Sequence, residues 1–188
     1  DSKGARAAQA NAASVELPPQ VFAQLRDYIT NVATLHNENP FHNFDHASHV
    51  TMSVSKLLAR IVAPKDLNLL EGQQAQADVS VMHDHTYGIT SDPLIQFSCV
   101  LSALIHDLDH PGVPNAQLVK EKAKIADRYK GQSVAEQNSL DIAWDLLMAE
   151  HFHDLRACIY GDETEMSRFR QLVVNAVMAT DIVDKDLK

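Results

Sequence analysis

Apolar side chains recur at the spacing of an α-helix along most of the chain. One such helix is predicted around residues 21–32 and another around 169–180. Between them, residues 94–105 carry no charge, with a leucine-rich stripe on one side and small side chains on the other. A helix that is apolar nearly all round belongs in the middle of a bundle. Because no useful stretch alternates with the period of a strand, the pattern predicts an all-α helical bundle.

Capping residues predict where several helices begin and end. Asn39 and Pro40 favour the start of a helix that runs to Pro64. Pro111–Gly112 favour the end of the uncharged helix. Ser133–Glu136 has the S-x-x-E spacing of a capping box ahead of another apolar stripe.

Two stretches lack helical periodicity. Residues 1–14 are polar and alanine-rich, so we interpret them as a linker or tail, with the domain itself over residues 15–188. Residues 64–93 form a long irregular segment that contains His83 and His85, which we expect to be solvated. Since the first residue is not Met, we expect the chain to be part of a longer protein.

Composition narrows the cellular setting and the class of partner. The formal net charge of −9 disfavours nucleic acid and anionic membrane surfaces as partners. The two cysteines, Cys99 and Cys158, are too few for a disulfide framework or a cysteine-rich zinc site. No run of apolar residues reaches the length of a membrane span. We therefore expect a cytoplasmic protein, or the cytosolic part of a larger membrane-attached signalling protein.

Five of the ten histidines fall in two short segments. His42 and His46 lie four residues apart, which places two side chains on one face of a helix, and His49 continues that face. His106 and His110 have the same spacing in a His-Asp-Leu-Asp-His segment that closes the uncharged helix. Polar groups at the end of a core helix are costly unless a partner compensates them. A divalent metal ion is such a partner, since imidazole and carboxylate are its ligands.

A metal site built from His46, His106 and Asp107 has three protein ligands, which leaves a position open as catalytic sites do. A bound metal lowers the pKa of water from 15.7 to about 7, and two metals share a hydroxide between them. His42, near the rim of such a site, is placed to protonate a leaving oxygen as a general acid. These residues predict metal-dependent hydrolysis of a phosphoester, and their spacing allows zinc, magnesium, manganese or iron.

Four segments of the sequence are similar to segments of a known protein family. They are FHNFDHASHV (41–50), ALIHDLDHPGVPN (103–115), SVAEQNSLDIAWDLL (133–147) and AVMATD (176–181). In this order they closely resemble the catalytic domain of class I cyclic-nucleotide phosphodiesterases, which belongs to the HD superfamily. The intervening HDHTYGITSDPLIQF is similar to versions of this domain from microbial eukaryotes.

The resemblance implies hydrolysis of a 3′,5′-cyclic nucleotide, cAMP or cGMP, to the 5′-monophosphate. His42 matches the general acid that protonates the departing 3′ oxygen. His46, His106 and Asp107 match metal ligands, with Asp107 bridging a tight Zn²⁺ and a looser Mg²⁺ or Mn²⁺. Supporting roles, in holding metal-bound water, orienting the acid or lining the substrate pocket, fall on His110, Asn115, Glu136 and Asp181.

The sequence departs from the family pattern in two respects. Asn138 and Ser139 stand where the family often has paired histidines, which predicts a looser environment around the metal ligands. In the family a fourth ligand, an aspartate, and the residues that grip the purine come later than the position of Lys188. We therefore expect an incomplete bundle with exposed apolar surface and a marginal or self-associating fold.

Two alternatives stay open on the sequence. Asp181 lies on an apolar stripe of the last helix, so it either points inward or lies at the surface. If it ligates the metal directly, the chain is a more general HD-type phosphohydrolase that acts on another phosphoester. If the incomplete site does not turn over, the chain is a helical regulatory module.

Overall fold

The structure, a computed structural model, describes residues 16–62, 88–89 and 92–183, and this part of the chain is helical without strands. Eight α-helices and one 3₁₀ turn follow one another in these residues. Their bounds are α1 Pro19–Leu35, α2 Phe44–Val62, α3 Pro93–Ile105, α4 Asn115–Lys120, α5 Lys124–Arg128, α6 Val134–Met148, the 3₁₀ turn Glu150–Phe152, α7 His153–Ile159 and α8 Glu163–Met178. The all-α prediction is confirmed.

Helix α3 lies between α2 and α8, its main packing partners. Its start is capped by Asp92, whose carboxylate accepts the backbone N–H groups of Leu94 (2.8 Å) and Ile95 (3.4 Å). The same carboxylate binds Arg168 of α8. The uncharged helix therefore occupies the middle of the bundle, as its composition predicts.

The main core joins α1, α3, α6, α7 and α8. Val32, Phe169 and Val177 are fully buried there, which confirms the apolar faces predicted for the first and last helices. The hydroxyl of Tyr28 donates to the carbonyl oxygen of Ala143 at 3.0 Å and so ties α1 to α6. Burial raises the pKa of Tyr28, because the charged phenolate would lose its hydration.

Two helix boundaries differ from the prediction. Helix α2 begins at Phe44 instead of Pro40, because the side chain of Asn43 accepts the backbone N–H of His46 (3.0 Å) and acts as the cap. Helix α3 ends at Ile105 instead of Pro111, and residues 106–109 form turns. Thus His42 precedes its helix and His110 follows its own, so neither histidine pair lies on one helix face.

The predicted capping box at the start of α6 is wrong. Ser133 is the N-cap residue, but its backbone is left-handed (φ 37°) and its side chain makes no capping hydrogen bond. The carboxylate of Glu136 binds Asn115 instead, at 2.8 Å. Asn115, at the start of α4, also supplies the cap, since its Oδ1 accepts the backbone N–H of Ala135 at 2.9 Å.

Several expectations lie outside the described residues: those for the tail (1–14), for most of the irregular segment (64–93) and for His83 and His85. Within the described residues, no helix has the length and apolar character needed to cross a membrane. Large apolar side chains are exposed on α2 and near the end of the described chain, in keeping with the expected exposed surface. They include Met52, Leu57, Ile182 and Val183.

Candidate metal centre

Three imidazoles converge on one carboxylate oxygen. Oδ2 of Asp107 lies 3.0 Å from Nδ1 of His42, 3.5 Å from Nε2 of His46 and 3.2 Å from Nε2 of His106. Asp107 is buried, and the three rings are partly exposed. The structure therefore brings together the four residues predicted as general acid and metal ligands.

Each of these side chains comes from a different local structure. His46 is in the first turn of α2, His42 is in the bend before it, and His106 with Asp107 directly follows α3. His106 Nδ1 lies 3.0 Å from the carbonyl oxygen of Ala103. A proton on that nitrogen leaves Nε2 as the one that faces Asp107, which is how metal-binding histidines are commonly oriented.

The charges of the cluster are strongly coupled. Burial alone would raise the pKa of Asp107, but hydrogen bonds and attraction from His106 and His42 hold it well below its usual range. Burial lowers the pKa of His46, against the attraction of Asp107. Burial also acts to lower the pKa of His106. The hydrogen bond and the attraction to Asp107 outweigh burial, so the pKa of His106 is raised. These shifts favour an ionised carboxylate at Asp107 and a neutral imidazole at His46.

His110 stacks on His42, with ring centroids 3.8 Å apart and planes 22° from parallel. The backbone N–H of Gly112 donates to His110 Nδ1 at 3.0 Å, so that nitrogen carries no proton. Burial and the nearby His42 lower the pKa of His110. A neutral ring therefore supports His42.

The exposed ring of Phe41 contacts both His42 and His46, with ring centroids 4.9 and 4.5 Å apart.

The remaining predicted site residues form a separate hydrogen-bonded group. Nδ2 of Asn115 donates to Glu136 (2.8 Å) and to Asp181 (3.2 Å). Asp181 is buried, so it points inward, one of the two orientations that the sequence allows. Among the described residues, neither carboxylate belongs to a set of three potential ligands.

The donor set fits a divalent metal. Two overlapping groups of ligand atoms, each within 4.8 Å, share Asp107: one adds His46 and His106, the other His42 and His110. Imidazole nitrogens around an ionised carboxylate are the ligands that zinc prefers, and three of them leave room for water. His49 is exposed and belongs to neither group.

Sequence reasoning missed the residues that hold the turn after α3. Asn37 and Asn138 donate to the two carboxylate oxygens of Asp109, each at 3.0 Å. Asn39, predicted as a helix cap, donates to the backbone oxygens of His42 (2.8 Å) and His110 (3.2 Å). The only available signal was the density of asparagines around the histidine segments, since the contacts with Asp109 and with the backbone of His110 join residues distant in sequence.

Comparison with known proteins gives the family of the chain. The family model described as 3′5′-cyclic nucleotide phosphodiesterase matches residues 41–185. The chain is 29% identical to the Homo sapiens cGMP-inhibited 3′,5′-cyclic phosphodiesterase 3A, over 76% of this chain and 14% of the relative. It is 25% identical to the Dictyostelium discoideum cGMP-specific 3′,5′-cGMP phosphodiesterase 3, over 85% of this chain and 29% of the relative. The chain thus spans less than a third of either relative.

Solved structures give the same result for the fold. The phosphodiesterase domain of the RhoPDE fusion protein from the choanoflagellate Salpingoeca rosetta superposes with a TM-score of 0.64 and 27% identity, over 85% of this chain and 42% of that one. A second structure of the Salpingoeca rosetta phosphodiesterase domain gives 0.62 and 26%, over 85% and 40%. The similarity covers most of this chain and less than half of either solved domain.

Proposed function

The chain belongs to the 3′5′-cyclic nucleotide phosphodiesterase family, and from this premise we propose that it carries the metal-binding part of a domain that hydrolyses a 3′,5′-cyclic nucleotide to the 5′-monophosphate. The convergence of His42, His46 and His106 on Oδ2 of Asp107 is the observation that carries the proposal. In the reaction, the oxygen of a water molecule bonds to phosphorus and the water gives up a proton. The bond from phosphorus to the 3′ oxygen breaks, and that oxygen takes up a proton.

His46, His106 and Asp107 would hold a tight divalent metal, for which Zn²⁺ suits the imidazoles, and Asp107 would also help to hold a looser Mg²⁺ or Mn²⁺. When bound, these ions supply positive charge that activates water and neutralises charge developing on the phosphate. Imidazole–carboxylate contacts hold these side chains together. Because a metal would need unprotonated imidazole nitrogens, its affinity should fall at low pH.

His42 gives its proton to the leaving 3′ oxygen. Its Nδ1 faces Asp107, which fixes the orientation of the ring and leaves Nε2 to deliver the proton. The neutral His110 stacked against it keeps the ring in place without competing for that proton. Asn115 holds Glu136 and Asp181 beside this centre as supporting carboxylates.

The contacts of Asp181 favour this proposal over an HD-type phosphohydrolase with Asp181 as a direct ligand. Asp181 binds the Asn115 amide and lies outside both potential ligand groups in the described residues.

Two free cysteines accord with a cytosolic setting. Since the relatives are several times longer, other domains of a parent protein are the partners we propose, along with the cyclic nucleotide itself.

The test is hydrolysis of cAMP and of cGMP by this chain with Zn²⁺ and Mg²⁺ supplied, followed by chromatography of the 5′-monophosphates. His42→Ala should abolish whatever turnover the chain shows while the Zn²⁺ content of the protein is retained. His49→Ala is the matched control, because His49 is exposed on the same helix that holds His46. Unchanged turnover in His42→Ala would refute the assigned acid. Zinc binding without turnover of either nucleotide would favour the regulatory module.

A further inference from the structure

The metal ligands that follow α3 lie in a strained turn. We define the ligand loop as residues 106–110. Its backbone N–H of His110 donates to the carbonyl oxygen of Asp107 at 3.1 Å. Asp109 has a left-handed backbone, with φ 55°. Such a conformation costs a non-glycine residue on the order of 1 kcal/mol, so surrounding contacts must hold it.

Two asparagines hold the strained residue from opposite sides. Asn37, between α1 and α2, donates to Oδ1 of Asp109, and Asn138, on α6, donates to Oδ2, both at 3.0 Å. Ser139, next along α6, donates to the backbone oxygen of Leu108 at 2.7 Å. Asn138 is 6% exposed and Ser139 is fully buried. The structure therefore argues against the looser environment that the sequence predicts at these two positions.

We propose that Asn138 is a positioning residue of the metal centre and acts through Asp109. The inference rests on the proposed metal site and adds a residue that does not touch metal or substrate. Asn138 is fixed on a helix of the main core, so its amide transfers the rigidity of that helix to the ligand loop. Without it, Asp109 relaxes toward a right-handed backbone, and Asp107 and His110 on either side of it lose their mutual placement.

An exchange of two functional groups tests the proposal. Asn138→Asp keeps the size of the side chain but sets a carboxylate against that of Asp109. In the double variant Asp109→Asn/Asn138→Asp, the amide at position 109 donates to the carboxylate at 138, and its oxygen accepts from Asn37. Asparagine also tolerates the left-handed conformation. The double variant therefore restores every hydrogen bond that the single one removes.

The measurement is the affinity for Co²⁺, by its absorption spectrum, together with the melting temperature of the metal-free protein. Outer hydrogen-bond partners of metal ligands are worth about tenfold to a hundredfold in affinity. We expect Asn138→Asp to weaken Co²⁺ binding at least about tenfold and to change the spectrum, and the double variant to recover both. Tyr28→Phe is the control, because it removes one buried hydrogen bond of α6 away from the ligand loop.

The outcomes separate this inference from the proposed function. Wild-type Co²⁺ affinity and spectrum in Asn138→Asp, with a fall in melting temperature like that of Tyr28→Phe, would overturn the positioning role and leave the metal site intact. Absence of recovery in a folded double variant would also overturn it. If Asn138→Asp does not fold, Asn138→Ala takes its place with the same expected loss of affinity. If the folded wild-type protein binds no Co²⁺, the proposed metal site fails and this inference fails with it.

Discussion

The side-chain oxygen of Asn115 accepts the backbone N–H of Ala135 at 2.9 Å, so a residue at the start of α4 caps helix α6. The amide nitrogen of the same side chain, Nδ2, donates to Glu136 and Asp181. One side chain thus joins the start of a core helix to two carboxylates from different parts of the sequence. This relationship makes Asn115 important for stability as well as for the site.

Asn115→Ala should lower the free energy of unfolding by about 1–2 kcal/mol, the usual cost of losing a helix cap. For a chain of this length that corresponds to a fall of about 2–4 °C in melting temperature per kcal/mol. Asn115→Asp keeps the capping oxygen but loses the donor and faces two carboxylates, so we also expect it to destabilise. Gln117→Ala on the same helix, whose exposed side chain donates to Glu121, is the control. An equal loss in the control would show that the cap contributes nothing specific.

Asp92 gives a prediction on acid stability. Its pKa is lowered: burial opposes this, but the hydrogen bond with Arg168 and those from the backbone of Leu94 and Ile95 outweigh burial. A carboxyl whose pKa is lowered by folding stabilises the folded state at pH values above its pKa in the unfolded chain, near 3.8. That stabilisation is lost as the pH falls through the pKa of the folded state. Wild-type protein should therefore lose stability below about pH 4 more steeply than Asp92→Asn.

Chemical denaturation between pH 2 and 7 measures this difference. Asp92→Asn retains a good capping side chain, whereas Asp92→Ala removes both the cap and the contact with Arg168. At neutral pH the alanine variant should therefore be the less stable of the two. Equal pH dependence of wild type and Asp92→Asn would show that this carboxyl does not couple to folding.

Much of the fold follows from local pattern. The apolar faces of α1 and α8 and the absence of charge in α3 predict the core, because burial of those faces drives the packing. The boundaries near the site do not follow, because tertiary contacts set them. Asn39 binds the backbone oxygen of His110, 71 residues away, and this contact brings the segment before α2 to the ligand loop.

The candidate site was predicted by residue but not by geometry. His42 and His46 do meet at Asp107, yet His42 precedes α2 and approaches from a bend instead of a shared helix face. The i, i+4 spacing therefore selected residues that do lie together, but for a reason that the structure does not bear out. The roles of Asn138 and Asp109 depend on a contact across 29 residues and a left-handed turn, which local periodicity does not encode.

Because of Tyr28, we expect the folded state to lose stability at alkaline pH. Burial raises its pKa above the ordinary value of 10, so above pH 10 the unfolded chain ionises and the folded one does not. The stabilisation is complete below that pH and declines as the pH rises. Tyr28→Phe should cost about 1 kcal/mol at neutral pH, from its hydrogen bond to Ala143, and show a shallower decline above pH 10. Urea unfolding of both proteins at pH 7 and at pH 10.5 measures this effect. If the free energy of unfolding differed between wild type and Tyr28→Phe by the same amount at both pH values, the prediction would be wrong.

The two histidines of α2 differ in their contacts. His46 faces Asp107 at 3.5 Å, whereas His49, one turn later, is exposed and belongs to no ligand group in the described residues. His46→Ala removes a direct ligand, so Zn²⁺ affinity should fall by more than about a hundredfold, beyond the loss typical of outer partners. His49→Ala changes the same residue type on the same helix and should leave affinity unchanged. Chelator competition at pH 7.5 measures both variants. Equal losses in the two would mean that zinc binds to exposed histidines of α2 and not at Asp107, and the assigned centre would then be wrong.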